Sequence, residues 1–153
     1  MTHDTALMEM TSRQRVVLTA LLDALIPSDA QRNLPSAADV GFVAFASKRG
    51  MYSRLVEVLE WIDRAAPERF SAAFESLNSS STLELVTDRT CVLWKSINDV
   101  LLCVVQCYYQ HPTVVAAIGL EPRPPFPLGF QVEDGDLLLL EPVYLRGKFY
   151  RDA

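Results

Sequence analysis

The stretch from about Asp88 to Gln110 constrains the fold more than any other part of the sequence, because apolar residues recur along it at helical spacing. One stripe at this spacing contains Trp94, Ile97, Leu101, Val104 and Tyr108. The stripe is widened by Val100, Cys103 and Cys107, so that the side chains suited to water are Lys95, Ser96, Asp99 and Gln106. A helix that is apolar over most of its circumference is normally packed against several others. We therefore predict that this helix is the centre of an all-α protein.

Helical signals also cover the segments before and after this stretch. An amphipathic helix is predicted over 11–26, because Thr11 and Gln14 form a capping box and Pro27 stops the helix. Other helices are predicted over about 36–48, over about 51–65, from Pro67 onward, and over 112–118. The expected fold is a small helical bundle of five to six helices.

The composition changes after the last of these helices. Six of the nine prolines lie between Pro112 and Pro142, and four of the six glycines lie from Gly119 onward. No helical period is present over 120–135. The chain is therefore divided into a flexible N-terminus (1–10), a helical domain (11–119) and an extended C-terminal strap (120–153), which belongs to the same domain or to a subunit interface.

The predicted strap is too apolar to remain in water, and we expect it to be buried on the helical body or on another chain. Its aromatic residues are the expected anchors of a partner interface, since aromatic side chains dominate interface energies. These anchors are Phe126, Phe130, Tyr144, Phe149 and Tyr150. The cations expected to pair with acidic groups of the partner are Arg146, Lys148 and Arg151.

The residues needed for common catalytic and cofactor sites are missing from the sequence. The formal net charge of −5 gives no reason to expect a nucleic-acid partner. The two histidines are His3 and His111, which is too few for a di-iron bundle, and His111 is expected to have a structural role at a helix end. Since no two glycines lie closer than six positions, a phosphate-binding glycine loop is also excluded. We expect no catalytic, cofactor-binding or metal-binding residues in this chain.

The cysteines and the N-terminal sequence indicate the cellular compartment of the protein. Cys91, Cys103 and Cys107 are odd in number and lie among apolar residues, so they are expected to be structural thiols in a reducing compartment. No signal peptide is present in the sequence as given, and no apolar run reaches the ~20 residues that a membrane-spanning helix needs. We expect a cytoplasmic protein without membrane insertion; the alternative is a periplasmic protein, exported with a partner or after removal of a signal.

Several motifs of the chain resemble the gluconate 2-dehydrogenase subunit 3 family. The first half contains LLDALIPSD at 21–29 and LPSAADVGFVAF at 34–45. The second half contains, in the same order as the family, YYQHP at 108–112, Ile118-Gly119, PLGF at 127–130 and Tyr150-Arg151. The resemblance extends over about residues 11–153.

This resemblance implies a non-catalytic small subunit in a heterodimer. The partner would be the large FAD-containing subunit of a glucose-methanol-choline type oxidoreductase that oxidises a sugar or an alcohol. The small subunit would bind and stabilise that partner in the manner of a chaperone, with FAD held by the partner alone. The alternative is a stand-alone helical domain that binds a small molecule, or a minor enzyme, with a pocket formed by Trp61, Trp94 and Tyr108.

Overall fold

A computed structural model of the chain describes residues 10–124, 127, 129 and 135–146. The chain forms two compact units, one ending at Pro122 and the other starting at Arg123. The described part of the first unit contains six α-helices: α1 (Ser12–Leu25), α2 (Phe42–Lys48), α3 (Tyr52–Phe70), α4 (Ser79–Val86), α5 (Trp94–Gln110) and α6 (Pro112–Ala117). The described residues contain no strand, which confirms the predicted all-α class. The six α-helices in the described part of the first unit agree with the five to six that were predicted.

Helix α5 is central to the first unit, as predicted. It packs against α2, α3, α6 and the short 3-10 helix Ala37–Val40. Its buried side chains are Ile97, Val100, Cys103, Val104, Cys107 and Tyr108. The apolar circumference is nevertheless not buried throughout, because Leu102, Val105 and Tyr109 are exposed. The expectation that only polar residues of this helix contact water is therefore wrong.

Helix α5 also begins at Trp94 and not at about Asp88. The Asp88 carboxylate accepts hydrogen bonds from the backbone N–H (2.9 Å) and the hydroxyl (2.6 Å) of Thr90. These local bonds hold a turn, which competes with helix formation at this point. They lower the pKa of Asp88 to about 2, with a further contribution from the Arg69 guanidinium.

Helix α1 follows its sequence signals closely. The Thr11 hydroxyl accepts a hydrogen bond from the Gln14 backbone N–H, and the Gln14 side chain accepts one from the Thr11 N–H, which completes the predicted capping box. The side chains of α1 that are buried in the core are Val17, Leu18, Leu21 and Leu22. They place α1 against α3 and against the 3-10 helix Phe74–Ser76.

Two further predicted boundaries are wrong, and the separate helix predicted from Pro67 onward does not form. Helix α3 does not end before Pro67 but continues through it to Phe70, since a proline in the last turn costs only one hydrogen bond there. The helix ends at Ser71, whose left-handed φ of 54° turns the chain away. The segment predicted as one helix over 36–48 is divided at Gly41, whose φ of 71° separates the 3-10 helix Ala37–Val40 from α2.

Two arginines, Arg13 and Arg69, each bind two carboxylates across the surface of the first unit. Arg13 of α1 binds Asp63 of α3 and Glu75, each at 2.5 Å. Arg69 of α3 binds Glu84 and Asp88, each at 2.7 Å. The Arg13 guanidinium also lowers the pKa of the Glu75 carboxyl. Exposed pairs contribute about 0.2–1 kcal/mol each, so these contacts orient the helices more than they stabilise them.

The described part of the second unit contains a 3-10 helix, Leu137–Leu140, followed directly by the short helix α7, Glu141–Tyr144. The Asp136 side chain caps the first of these by accepting a hydrogen bond from the Leu138 N–H at 3.0 Å. Pro142 is tolerated because it lies at the start of α7, where its missing N–H has no helical partner. The strap is therefore not extended over its whole length.

Candidate functional site

Two of the eight residues predicted to contact a partner, Tyr144 and Arg146, lie in the described part of the chain. The Tyr144 side chain is 82% exposed, and Arg146 is also exposed. The other six lie outside the described residues: Phe126, Phe130, Lys148, Phe149, Tyr150 and Arg151. Tyr144 is therefore on the surface, and its role as an anchor stays a prediction.

Tyr144 belongs to a longer run of exposed apolar side chains. We call residues 138–145 the leucine segment, and its exposed apolar members are Leu138, Leu139, Leu140, Val143, Tyr144 and Leu145. Leu138, Leu139 and Leu145 are each exposed by about three quarters or more (75%, 74% and 81%). Apolar side chains grouped in this way on a surface mark interaction sites. The selection of aromatic anchors from the sequence missed these leucines, although the run of four leucines was a visible signal.

The thiols lie in and beside α5. Cys103 and Cys107 are buried, and Cys91 is partly buried. Burial raises the pKa of Cys103, and burial followed by the nearby Cys103 raises the pKa of Cys107 to about 11. A buried thiol that stays protonated at neutral pH is a weak nucleophile. In the described residues, no three His, Cys, Asp or Glu side chains come together in an arrangement that could hold a metal ion.

The different burial of the thiols predicts their reactivity. In the native protein we expect Cys91 to react first with an aromatic disulfide reagent, and Cys103 and Cys107 to react only after unfolding. Cys103→Ala and Cys107→Ala should each lower the free energy of unfolding by about 1 kcal/mol, because each removes one small buried group. Urea titrations and timed thiol counting measure both effects. A stoichiometric metal ion that is lost on Cys103→Ala would contradict this structural role.

His111 lies at the junction of two helices, as expected for a structural residue. Its backbone N–H donates to the Tyr108 carbonyl at 3.1 Å and ends α5. Its carbonyl accepts from the Val115 N–H at 3.0 Å in the first turn of α6. Its Nδ1 atom is buried and has no hydrogen-bond partner among the residues that the structure describes. A general base needs an orienting partner on one ring nitrogen, and this geometry supplies none at Nδ1.

The aromatic residues of the alternative prediction have separate surroundings. The Tyr108 hydroxyl is fixed by donating to the Pro35 carbonyl at 2.9 Å. The Trp94 ring lies 5.7 Å from the Arg89 guanidinium, and Trp61 packs against the core. Trp94 and Tyr108 are separated along α5 by roughly 21 Å, from the rise of 1.5 Å per residue. A single small pocket cannot include both of these rings.

Two shallow cavities of the first unit lie beside α5, and neither is lined by these aromatic residues. The larger one, about 310 Å³, lies between α5 and the α2–α3 connection and is lined by Arg49, Arg54 and Leu102, among others. The smaller one, about 260 Å³, is lined by Phe45, Lys48 and Cys107, among others. The guanidinium of Arg49 is 4.7 Å from the centre of the Phe45 ring, so the two cavities are neighbours. These cationic residues were not singled out from the sequence.

Comparison with protein-family models, curated proteins and solved structures gave no match. The resemblance to the gluconate 2-dehydrogenase subunit 3 family therefore stays a prediction. In the described part of the chain, no helix combines the length and the apolar character needed to cross a lipid bilayer.

Proposed function

We propose that this chain is the non-catalytic small subunit of a sugar or alcohol dehydrogenase or oxidase complex, and that it binds and stabilises the FAD-containing catalytic subunit. The observation that carries the proposal is the exposed leucine segment, because such a surface is suited to a protein interface. The class of partner comes from the resemblance of the sequence motifs. FAD is expected in the partner and not in this chain.

The chemistry of the leucine segment suits a partner that is itself a folded protein. Leu138, Leu139 and Tyr144 offer large apolar surfaces that gain free energy when they leave water. Arg146 follows directly in the sequence and adds a positive charge beside them. Charges at the rim of an apolar contact favour the correct partner and orientation more than they add affinity.

A stabilising role follows from such binding by mass action. A subunit that binds only the folded form of its partner raises the partner's free energy of unfolding by RT ln(1 + [L]/Kd), about 2.7 kcal/mol at 100 times the Kd. No catalytic group is required of the small subunit for this effect. The alternative of a stand-alone pocket has less support, because Trp94 and Tyr108 lie far apart on α5.

The test is co-expression of this chain with a large glucose-methanol-choline type flavoprotein from the same genome. We expect one yellow complex on size exclusion, a colourless small chain when it is expressed alone, and a lower melting temperature of the flavoprotein without it. A matched control is Val92→Ser, which removes an exposed apolar side chain (91% exposed) outside the leucine segment and should leave the complex intact. Separate elution of the two chains at micromolar concentration would contradict the proposal.

A further inference from the structure

The surface around the two cavities beside α5 has an excess of positive charge, although the chain as a whole is acidic. Lys48, Arg49 and Arg54 lie there, whereas the whole chain has a formal net charge of −5. Arg54 is paired with Asp99 at 2.6 Å. Arg49 donates instead to the neutral side-chain amide of Gln106 at 2.8 Å. In the described residues neither Arg49 nor Lys48 has a carboxylate partner, so this surface retains positive charge.

An apolar stripe of α5 continues this surface. It consists of Leu102, Val105 and Tyr109, which are exposed by 52%, 45% and 55%. Residues three and four apart lie on one face of a helix, and Leu102 itself lines the larger cavity together with Arg49 and Arg54. The cations and the stripe therefore adjoin. We call them together the α5 groove: Lys48, Arg49, Arg54, Leu102, Val105 and Tyr109.

The leucine segment has the complementary chemistry. Its apolar side chains are exposed. In the sequence it is preceded by Glu133, Asp134 and Asp136, and it contains Glu141. The Asp136 and Glu141 carboxylates therefore flank four consecutive leucines. The acidic N-terminal end of the segment and the basic apolar groove match in both charge and polarity.

We propose that the free chain forms a dimer in which the leucine segment of each copy lies in the α5 groove of the other. Reciprocal exchange produces a closed two-fold dimer and leaves neither surface open for further growth. The leucines and Tyr144 of one copy contact Leu102, Val105 and Tyr109 of the other. The Asp136 and Glu141 carboxylates pair with Lys48 and Arg49, the two cations of the groove that have no carboxylate partner in the described residues.

This dimer is inferred independently of the proposed function. A dimer of this kind would nevertheless be useful to a small subunit that has not yet bound its partner. A free small subunit with an exposed leucine segment is at risk of non-specific association. Covering the segment with a second copy removes that risk until a larger partner competes for it. The dimer would then be the storage form of the chain and the monomer its binding form.

The first test measures the mass of the full chain by sedimentation velocity at 1–100 µM, in 50 and 500 mM NaCl. We expect a reversible dimer whose Kd rises about tenfold at the higher salt, because exposed charge pairs are screened. Lys48→Glu with Arg49→Glu, and separately Leu138→Ser with Leu139→Ser and Tyr144→Ser, should each yield monomers. Circular dichroism should match the parent, since all five side chains are exposed. A parent chain that is monomeric at every concentration would overturn the proposal.

The second test mixes the two variants. The first has an intact leucine segment and the second an intact groove, so together they can make one of the two contacts. We expect a 1:1 complex that neither variant forms alone, weaker than the parent dimer. The matched control, Arg32→Glu with Arg64→Glu, reverses two exposed cations outside the groove and should dimerise like the parent. If the mixture stays monomeric, or if the control also loses the dimer, the groove is not the binding surface.

Discussion

Deletion of residues 135–153 is expected to abolish co-purification with the flavoprotein while the first unit remains folded. The deletion removes the whole leucine segment and the cations that follow it. Interface anchors cost about 2 kcal/mol or more each when they are lost, so losing two or more weakens binding by at least about a thousandfold. The buried core of the described chain lies between Met10 and Val114, which this deletion leaves intact.

The measurement is co-elution of the truncated chain with the flavoprotein, together with circular dichroism and a thermal melt of the truncated chain alone. The full-length variant Leu138→Ser with Leu139→Ser is the control, and it should weaken binding without removing any backbone. A truncated chain that unfolds would show that the first unit depends on these residues. Full binding by the truncated chain would place the interface on the helices.

Replacement of Phe74 by alanine is expected to lower the free energy of unfolding by about 3–5 kcal/mol. Phe74 is 2% exposed and lies in the 3-10 helix Phe74–Ser76, which packs against both α1 and α3. Its removal leaves a cavity at the junction of these elements. Since a domain of this size is stable by about 5–15 kcal/mol, the loss would be a large fraction of the total.

Urea unfolding followed by circular dichroism measures this change, and Tyr144→Ala is the matched control. Tyr144 is also an aromatic residue but is 82% exposed, so its replacement should change stability by less than about 0.5 kcal/mol. The two variants are expected to differ in binding: Tyr144→Ala weakens the complex, whereas Phe74→Ala leaves the leucine segment unchanged. A loss below about 1 kcal/mol for Phe74→Ala would contradict its place in the core.

The parts of the fold that could be predicted from the sequence are those fixed by local interactions. The capping box of Thr11 and Gln14 starts α1 independently of the tertiary contacts of that helix. Gly119 ends α6 because it adopts a left-handed φ of 83°. The boundaries of α3 and α5 were missed for a physical reason. Pro67 is acceptable in a last turn once the helix is already held by its buried face, and the Asp88 turn depends on Thr90 and on Arg69 from another helix.

The candidate site was predictable only in part. Tyr144 was selected because aromatic side chains dominate interface energies, and the structure places it on the surface. The α5 groove was missed because Arg49 and Leu102 are distant in the sequence, and only packing of the α2–α3 connection beside α5 brings them together. Periodicity also cannot separate Val105 or Tyr109 from the buried residues of α5, since apolar side chains cover most of that helix.

The position of α5 late in the chain has a consequence for synthesis on the ribosome. Helix α1 is synthesised first, and its apolar face has no packing partner until α3 and the segment around Phe74 have been synthesised. The core closes only when α5 and the fully buried Val114 have been made. At about 5–20 residues per second this interval lasts several seconds. The nascent chain therefore exposes Leu18, Leu21 and Leu22 for that time. Chaperones that bind apolar segments of nascent chains are expected to bind α1.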